Sequence, residues 1–187
     1  MIIGLTGKMA AGKGTVAEYL KSQGFIYHSC SDVLRHELVK RKKTETIPNL
    51  MAMGNQLRAK EGPGVLAKIL LKEIQKNKEA NTIVDSIRNP AEVEELAKTK
   101  DKFILMAVDA EMGLRYKRVC QRSRQGDAMT LVEFEEQDIR QLKSEDPNGQ
   151  QILACFKLAD YTIVNDGTMA ELQKKIDDIL IDLKIKQ

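Results

Sequence analysis

The feature that most constrains this chain lies close to its start: Gly7-Lys8-Met9-Ala10-Ala11-Gly12-Lys13-Gly14-Thr15. An apolar run, Ile2-Ile3-Gly4-Leu5-Thr6, precedes it, and Val16-Ala17-Glu18-Tyr19-Leu20 follows with the pattern of a helix. Strand, glycine-bounded loop, lysine, hydroxyl residue and helix is the order a phosphate-binding loop requires. The glycines allow backbone conformations that aim several N–H groups into one concavity. The helix start behind them adds roughly half a positive charge. Lys13 supplies a mobile ammonium for outer phosphates. The small Ala10 and Ala11 leave room for a polyphosphate. The usual pattern sets Ser or Thr directly after the lysine to hold Mg²⁺; here Gly14 intervenes and Thr15 comes next.

The bulk numbers exclude several classes. A chain of 187 residues is long enough to bury a core as one domain. Charged residues are 30% and hydrophobic ones 42%, the balance of a globular chain. No run approaches the ~18 apolar residues of a membrane span. The start reads as a strand and loop rather than a signal or transit peptide, so a cytoplasmic protein is expected. Cys30, Cys120 and Cys155 are scattered, make no CxxC pair and are expected to be reduced thiols. With only His28 and His36 besides, a zinc site is not expected. The net charge of +3 and an aromatic content of 4% without Trp give no basis for nucleic-acid binding. They suit an anionic small substrate.

Along the chain, strand-like and helical stretches alternate. Strands are expected at 2–6, 25–28, 82–85, 102–108 and 160–164. Helices are expected from about Val16 to about Gln23, Val33 to about Arg41, in two pieces between Asn49 and Asn77, after Asn89-Pro90, from Glu111 to about Ser123, from Thr130 to before Pro147, and after Thr168. Ser31 or Asp32 would cap the second helix, and Thr44 to Pro48 would be a break. Asn89, Thr130 and Thr168, each followed by Glu at the third helical position, form capping-box patterns. The alternation predicts an α/β fold of three layers: a parallel sheet of about five strands with helices on both faces. We expect one domain over 1–187, with a helical acceptor-binding insertion at about 31–77 and a lid at about 118–130.

Ligands in such folds bind beyond the carboxyl ends of the strands. Asp32 and Arg35 follow the second strand, at a helical spacing that also suits an ordinary ion pair. Asp85 and Arg88 follow the third. An acid there can hold Mg²⁺ through waters, or serve as a turn carboxylate. Two arginines beyond neighbouring strands could converge on a second anion, which the planar guanidinium suits. Arg115, Arg118 and Arg122 share a helical face, with Arg124 just beyond. They read as a lid closing over transferring phosphates, or as a solvated basic face. Arg58 could line the acceptor side. Arg140 could reach the site or lie on the surface.

With these residues in view, the chain resembles the nucleoside monophosphate kinases. Gly12-Lys13-Gly14-Thr15 is similar to the adenylate kinase loop. Ser31-Asp32-Val33-Leu34-Arg35 resembles that family's Thr-Gly-Asp-Met-Leu-Arg. Asp85-Ser86-Ile87-Arg88 resembles its Asp-Gly-Phe-Pro-Arg, with Ser86 in place of Gly and no Pro. The two ends, Ile2 to Gly7 and Ala159 to Gly167, resemble dephospho-coenzyme A kinase. Overall the chain is most similar to a group of adenylate-kinase-related proteins common in archaea. The resemblance implies ATP held by residues 7–15, with Mg²⁺ beside Asp85 and Thr15. It implies an acceptor near Asp32, Arg35, Arg58 and Arg88, and transfer assisted by Lys13, Arg118, Arg122, Arg124 and Asp85. A nucleoside monophosphate acceptor would need no base, because its phosphate is already nucleophilic. Dephospho-coenzyme A would need one, for which Asp32 is the candidate. A nucleotide-driven switch or hydrolase without a small acceptor is the remaining reading.

Overall fold

The computed structural model describes residues 1–122 and 130–184. The first strand, β1 (Ile2–Gly7), is buried along its whole length, so its neighbours must cover both edges and both faces. Among the described residues β1 lies at the centre of a five-stranded parallel sheet of order β2-β3-β1-β4-β5. The other strands are β2 (Ile26–Ser29), β3 (Thr82–Asp85), β4 (Phe103–Asp109) and β5 (Tyr161–Val164). Ile3 pairs with Ile83 on one side and Ile104 on the other. The change of direction beside β1 opens a crevice at the carboxyl end of the sheet, and the loop of residues 7–12 lies there.

Alternation along the strands divides the core in two. Ile2, Val84 and Leu105 face helices α2 (Cys30–Lys40), α3 (Ile47–Glu61), α4 (Val65–Asn77), α5 (Pro90–Ala97) and α8 (Ile152–Lys157). Ile3, Ile83, Ile104 and Met106 face α1 (Lys13–Ser22) and α9 (Met169–Asp182). A smaller cluster joins Met9 of the loop to Val119 of α6 (Met112–Arg122) and Phe134 of α7 (Leu131–Leu142). The expected three layers are therefore present.

Local signals set most boundaries. The capping boxes at Asn89, Thr130 and Thr168 all form. Four details differ from the sequence reading. Helix α2 begins at Cys30, because Ser29 rather than Ser31 or Asp32 caps it; the Ser29 hydroxyl accepts from Ser31 N. Thr46 caps α3 and Pro48 sits in its first turn, where its missing N–H costs nothing, so the expected break is shorter. Helix α8 has no counterpart in the sequence reading. Its six residues give too short a periodicity to register, and Gln151 offers no side-chain cap. Asp160 stays outside β5 and instead accepts Leu105 N at 2.8 Å.

Leu105, fully buried between layers, should cost about 2–5 kcal/mol as Leu105→Ala in urea unfolding. Val39→Ala, at a position 74% exposed, should stay within about 0.5 kcal/mol.

Candidate functional site

The loop runs directly from β1 into α1, and its backbone adopts conformations that only part of the sequence tolerates freely. Gly12 caps α1 at φ 105°, and a Cβ there would meet Asn165 Nδ2 at 2.2 Å. Ala10 is held at φ 57°, in the left-handed region. The strain persists because the loop carbonyls are tied from several directions. Asn165 donates to Ala11 O at 2.8 Å, Arg118 to the same oxygen at 3.3 Å, and Arg115 to Met9 O at 3.2 Å. Lys13 Nζ donates to Gly7 O at 2.9 Å and Lys8 O at 3.0 Å. Lys8 is drawn sideways to Asp109 at 2.9 Å. A loop whose carbonyls are held in this way can offer backbone N–H groups on its other side, where the start of α1 lies without a side-chain cap.

That side opens into a cavity of about 1100 Å³. Met9, Ala10, Lys13, Gly14 and Thr15 line its loop end. Asp85, Ser86 and Arg88 line its floor, and Arg35, Arg58, Leu34, Leu50 and Gly54 its far wall. The structure thus gathers Lys13, Thr15, Arg35, Arg58, Asp85, Arg88 and Arg118 around one space.

Their partners differ. Asp85 accepts the Tyr27 hydroxyl at 3.0 Å and the Ser86 amide. Burial, with Asp85 beside it, pushes the Tyr27 hydroxyl above its ordinary pKa, so it remains a donor. Arg35 is held by Asp32 at 2.6 Å and Glu45 at 2.7 Å, both well exposed, and Asp32 itself borders no part of the cavity. Burial works against the Arg35 charge, but the hydrogen bonds to Glu45 and Asp32 hold its pKa up. Arg58 borders the cavity, yet its guanidinium is turned inward, donating to Glu92 Oε1 through Nε at 3.1 Å and Nη2 at 2.8 Å. Arg88 is enclosed and donates to the amide oxygens of Gln150 at 3.0 Å and Gln141 at 3.3 Å. Among the described residues its guanidinium has no carboxylate in contact, although its backbone N–H donates to Glu92 at 2.8 Å. Burial lowers its pKa, and the nearby Asp85 opposes that.

The expected basic face of α6 divides. Arg115 is buried against Asp138 of α7 in a two-pronged pair at 2.7 and 2.8 Å, so it is a structural clamp and not part of a lid. Arg118 reaches the loop and donates to Asn165 O at 2.8 Å. Arg122 ends α6, and Arg124 and most of the expected lid lie outside the described residues. Arg140 is on the surface beside Glu136. The sequence reading missed Asn165, Asp109, Gln141 and Gln150. Asn165 and Asp109 stand at the carboxyl ends of β5 and β4, where the rule applied to β2 and β3 could have found them. The glutamines carried no such signal.

The loop, crevice and parallel sheet define a P-loop fold of the kinase-like kind. Residues 3–143 match the AAA domain family. The UPF0200 protein of Pyrococcus abyssi is 32% identical over 184 residues, spanning 96% of this chain and 95% of its own length. That of Sulfurisphaera tokodaii is 33% identical over 179 residues, with 96% and 95% covered. The chain belongs to the AAA domain family and to the UPF0200 group. Among solved structures, TT1252 from Thermus thermophilus superposes with a TM-score of 0.60 at 23% identity, covering 98% of this chain and 97% of that one. Shikimate kinase from Bacteroides thetaiotaomicron gives 0.63 at 14%, with 97% and 98% covered. These two establish the fold alone.

Asp138→Ala would leave Arg115 as an unpaired buried cation. It should cost about 3–5 kcal/mol in denaturant unfolding, while Arg115→Met with Asp138→Leu should recover most of that loss.

Proposed function

We propose that this chain is an ATP- and Mg²⁺-dependent phosphotransferase of the cytoplasm whose acceptor is a small nucleotide, foremost a nucleoside monophosphate. One observation carries the reading: the phosphate loop and Arg88, whose contacts are neutral amides, open into the same cavity. A half-buried guanidinium without a carboxylate partner favours an anionic ligand. A second anion site facing a phosphate loop has no use in a switch or simple hydrolase. The cavity, at about 1100 Å³, is larger than one small ligand requires and favours a pair of substrates. No helix of the described residues is long and apolar enough to cross a membrane.

Asp85 and Thr15 fit a magnesium ion. Both border the cavity, and each Asp85 oxygen, accepting one hydrogen bond, has capacity left. Among the described residues no three His, Cys, Asp or Glu side chains converge, which suits a cation held by one carboxylate, waters and phosphates. Magnesium would there neutralise phosphate charge. The loop amides and Lys13 would hold the outer phosphates of ATP. Arg118, with Arg122 and Arg124 following it in the chain, is assigned to the charge of the transferring group. Arg88 and Arg35 would hold the acceptor phosphate, with Arg35 exchanging an exposed carboxylate for it. Asp32 is already engaged by Arg35, which disfavours its use as a base and so favours a phosphate acceptor over a hydroxyl one.

A coupled ATP-consumption assay with each nucleoside monophosphate, dephospho-coenzyme A and no acceptor tests the reading. Stimulation by a monophosphate is expected; acceptor-independent hydrolysis alone would overturn it. Lys13→Ala should lower kcat by on the order of 10²–10³. Arg88→Ala should raise the acceptor KM roughly 10–100-fold and leave the KM for ATP within about threefold.

A further inference from the structure

Arg58 and Glu92 form a pair at 2.8 Å in which the side chains are 3% and 0% exposed. A buried ion pair is a poor source of stability, since desolvation consumes most of its attraction. Its surroundings supply a reason for it. Glu92 is the N3 residue of the capping box of α5, and its second oxygen accepts the backbone amides of Arg88 at 2.8 Å and Asn89 at 3.2 Å. The segment that carries Arg88 therefore needs a carboxylate at this point, buried close behind the arginine. Left alone, that charge would draw the Arg88 guanidinium inward and cancel its field in the cavity. Arg58 arrives from α3 and occupies Oε1 with two donors. Its remaining arm reaches Asn148 O at 3.4 Å, in the same loop that presents Gln150 to Arg88.

We propose that Arg58 is a positioning residue. By neutralising Glu92 it leaves the charge of Arg88 directed at an anionic group in the cavity, without itself touching the ligand. The inference rests on the reading of Arg88 as an anion site, and it moves Arg58 from the acceptor's ligands to the residues behind them. Arg88 feels Glu92 and Arg58 with opposite signs, as this arrangement requires.

Titration of the full-length protein with inorganic phosphate, with a non-hydrolysable ATP analogue on the loop, tests it. The Nε–H resonance of Arg88, identified by its loss in Arg88→Lys, reports occupancy. Arg58→Gln should weaken phosphate binding about tenfold, the loss of roughly one charge-assisted hydrogen bond. Arg58→Lys keeps the charge and should stay within about threefold of the wild type. Arg58→Gln with Glu92→Gln removes both charges and should recover most of the affinity, a rescue that a purely structural pair would not give. Equal loss in Arg58→Lys and Arg58→Gln, or a double variant no better than the single, would overturn the inference and leave the anion site standing. A wild-type Arg88 signal that phosphate does not move would overturn both.

Discussion

The structure depends on holding one short stretch of backbone away from its relaxed conformation. Residues 7–12 leave a fully buried strand, pass through the left-handed region at Ala10 and Gly12, and enter a helix. Such a path costs on the order of 1–3 kcal/mol at each unfavourable residue and persists only when neighbours over-determine it. Here the neighbours come from the far half of the chain. Asn165 at the end of β5, and Arg115 and Arg118 on α6, bind the loop carbonyls. The sheet order places β4 beside β1 and β5 next to β4, and this brings those side chains within reach. A concave bed for phosphate is thus a product of the whole sheet and not of the glycine motif alone.

The arginines in and around the cavity are in chemically different states. Arg115 and Arg58 are buried and matched by Asp138 and Glu92, so their charges are spent internally. Arg35 is half-exposed and shared between two exposed carboxylates, pairs of little net strength that the proposed acceptor phosphate would displace at little cost. Arg88 is enclosed among amide oxygens. The low dielectric that makes its charge costly is what would make an incoming anion bind well. One residue type thus serves as clamp, as counter-charge and, in the proposed function, as ligand site, and the partner decides which.

Much of the fold was legible locally. Capping boxes at Asn89, Thr130 and Thr168 mark helix starts because each acts within four residues. The apolar runs mark buried parallel strands because burial on both faces leaves no polar alternation. The short helix α8 was not legible, since two turns are held by packing against the core rather than by their own sequence. Ser29 was passed over as a cap because Ser31 and Asp32, just after it, carry the same capping chemistry, and only the structure places the helix start at Cys30.

For the candidate site, the sequence by itself determined the phosphate loop and marked Asp85, Arg35 and Arg88 as the residues the structure brings to one cavity, because spacing along one strand–loop–helix unit carries that signal. Tertiary structure alone decided which arginines keep their charge for the cavity. Glu92 lies 34 residues from Arg58 and Asp138 lies 23 from Arg115, and no periodicity joins them. It also decided that Gln141 and Gln150 frame Arg88 and that Asn165 props the loop. Electrostatic fate depends on distance in space and on burial, and both are set only when the five strands take their order.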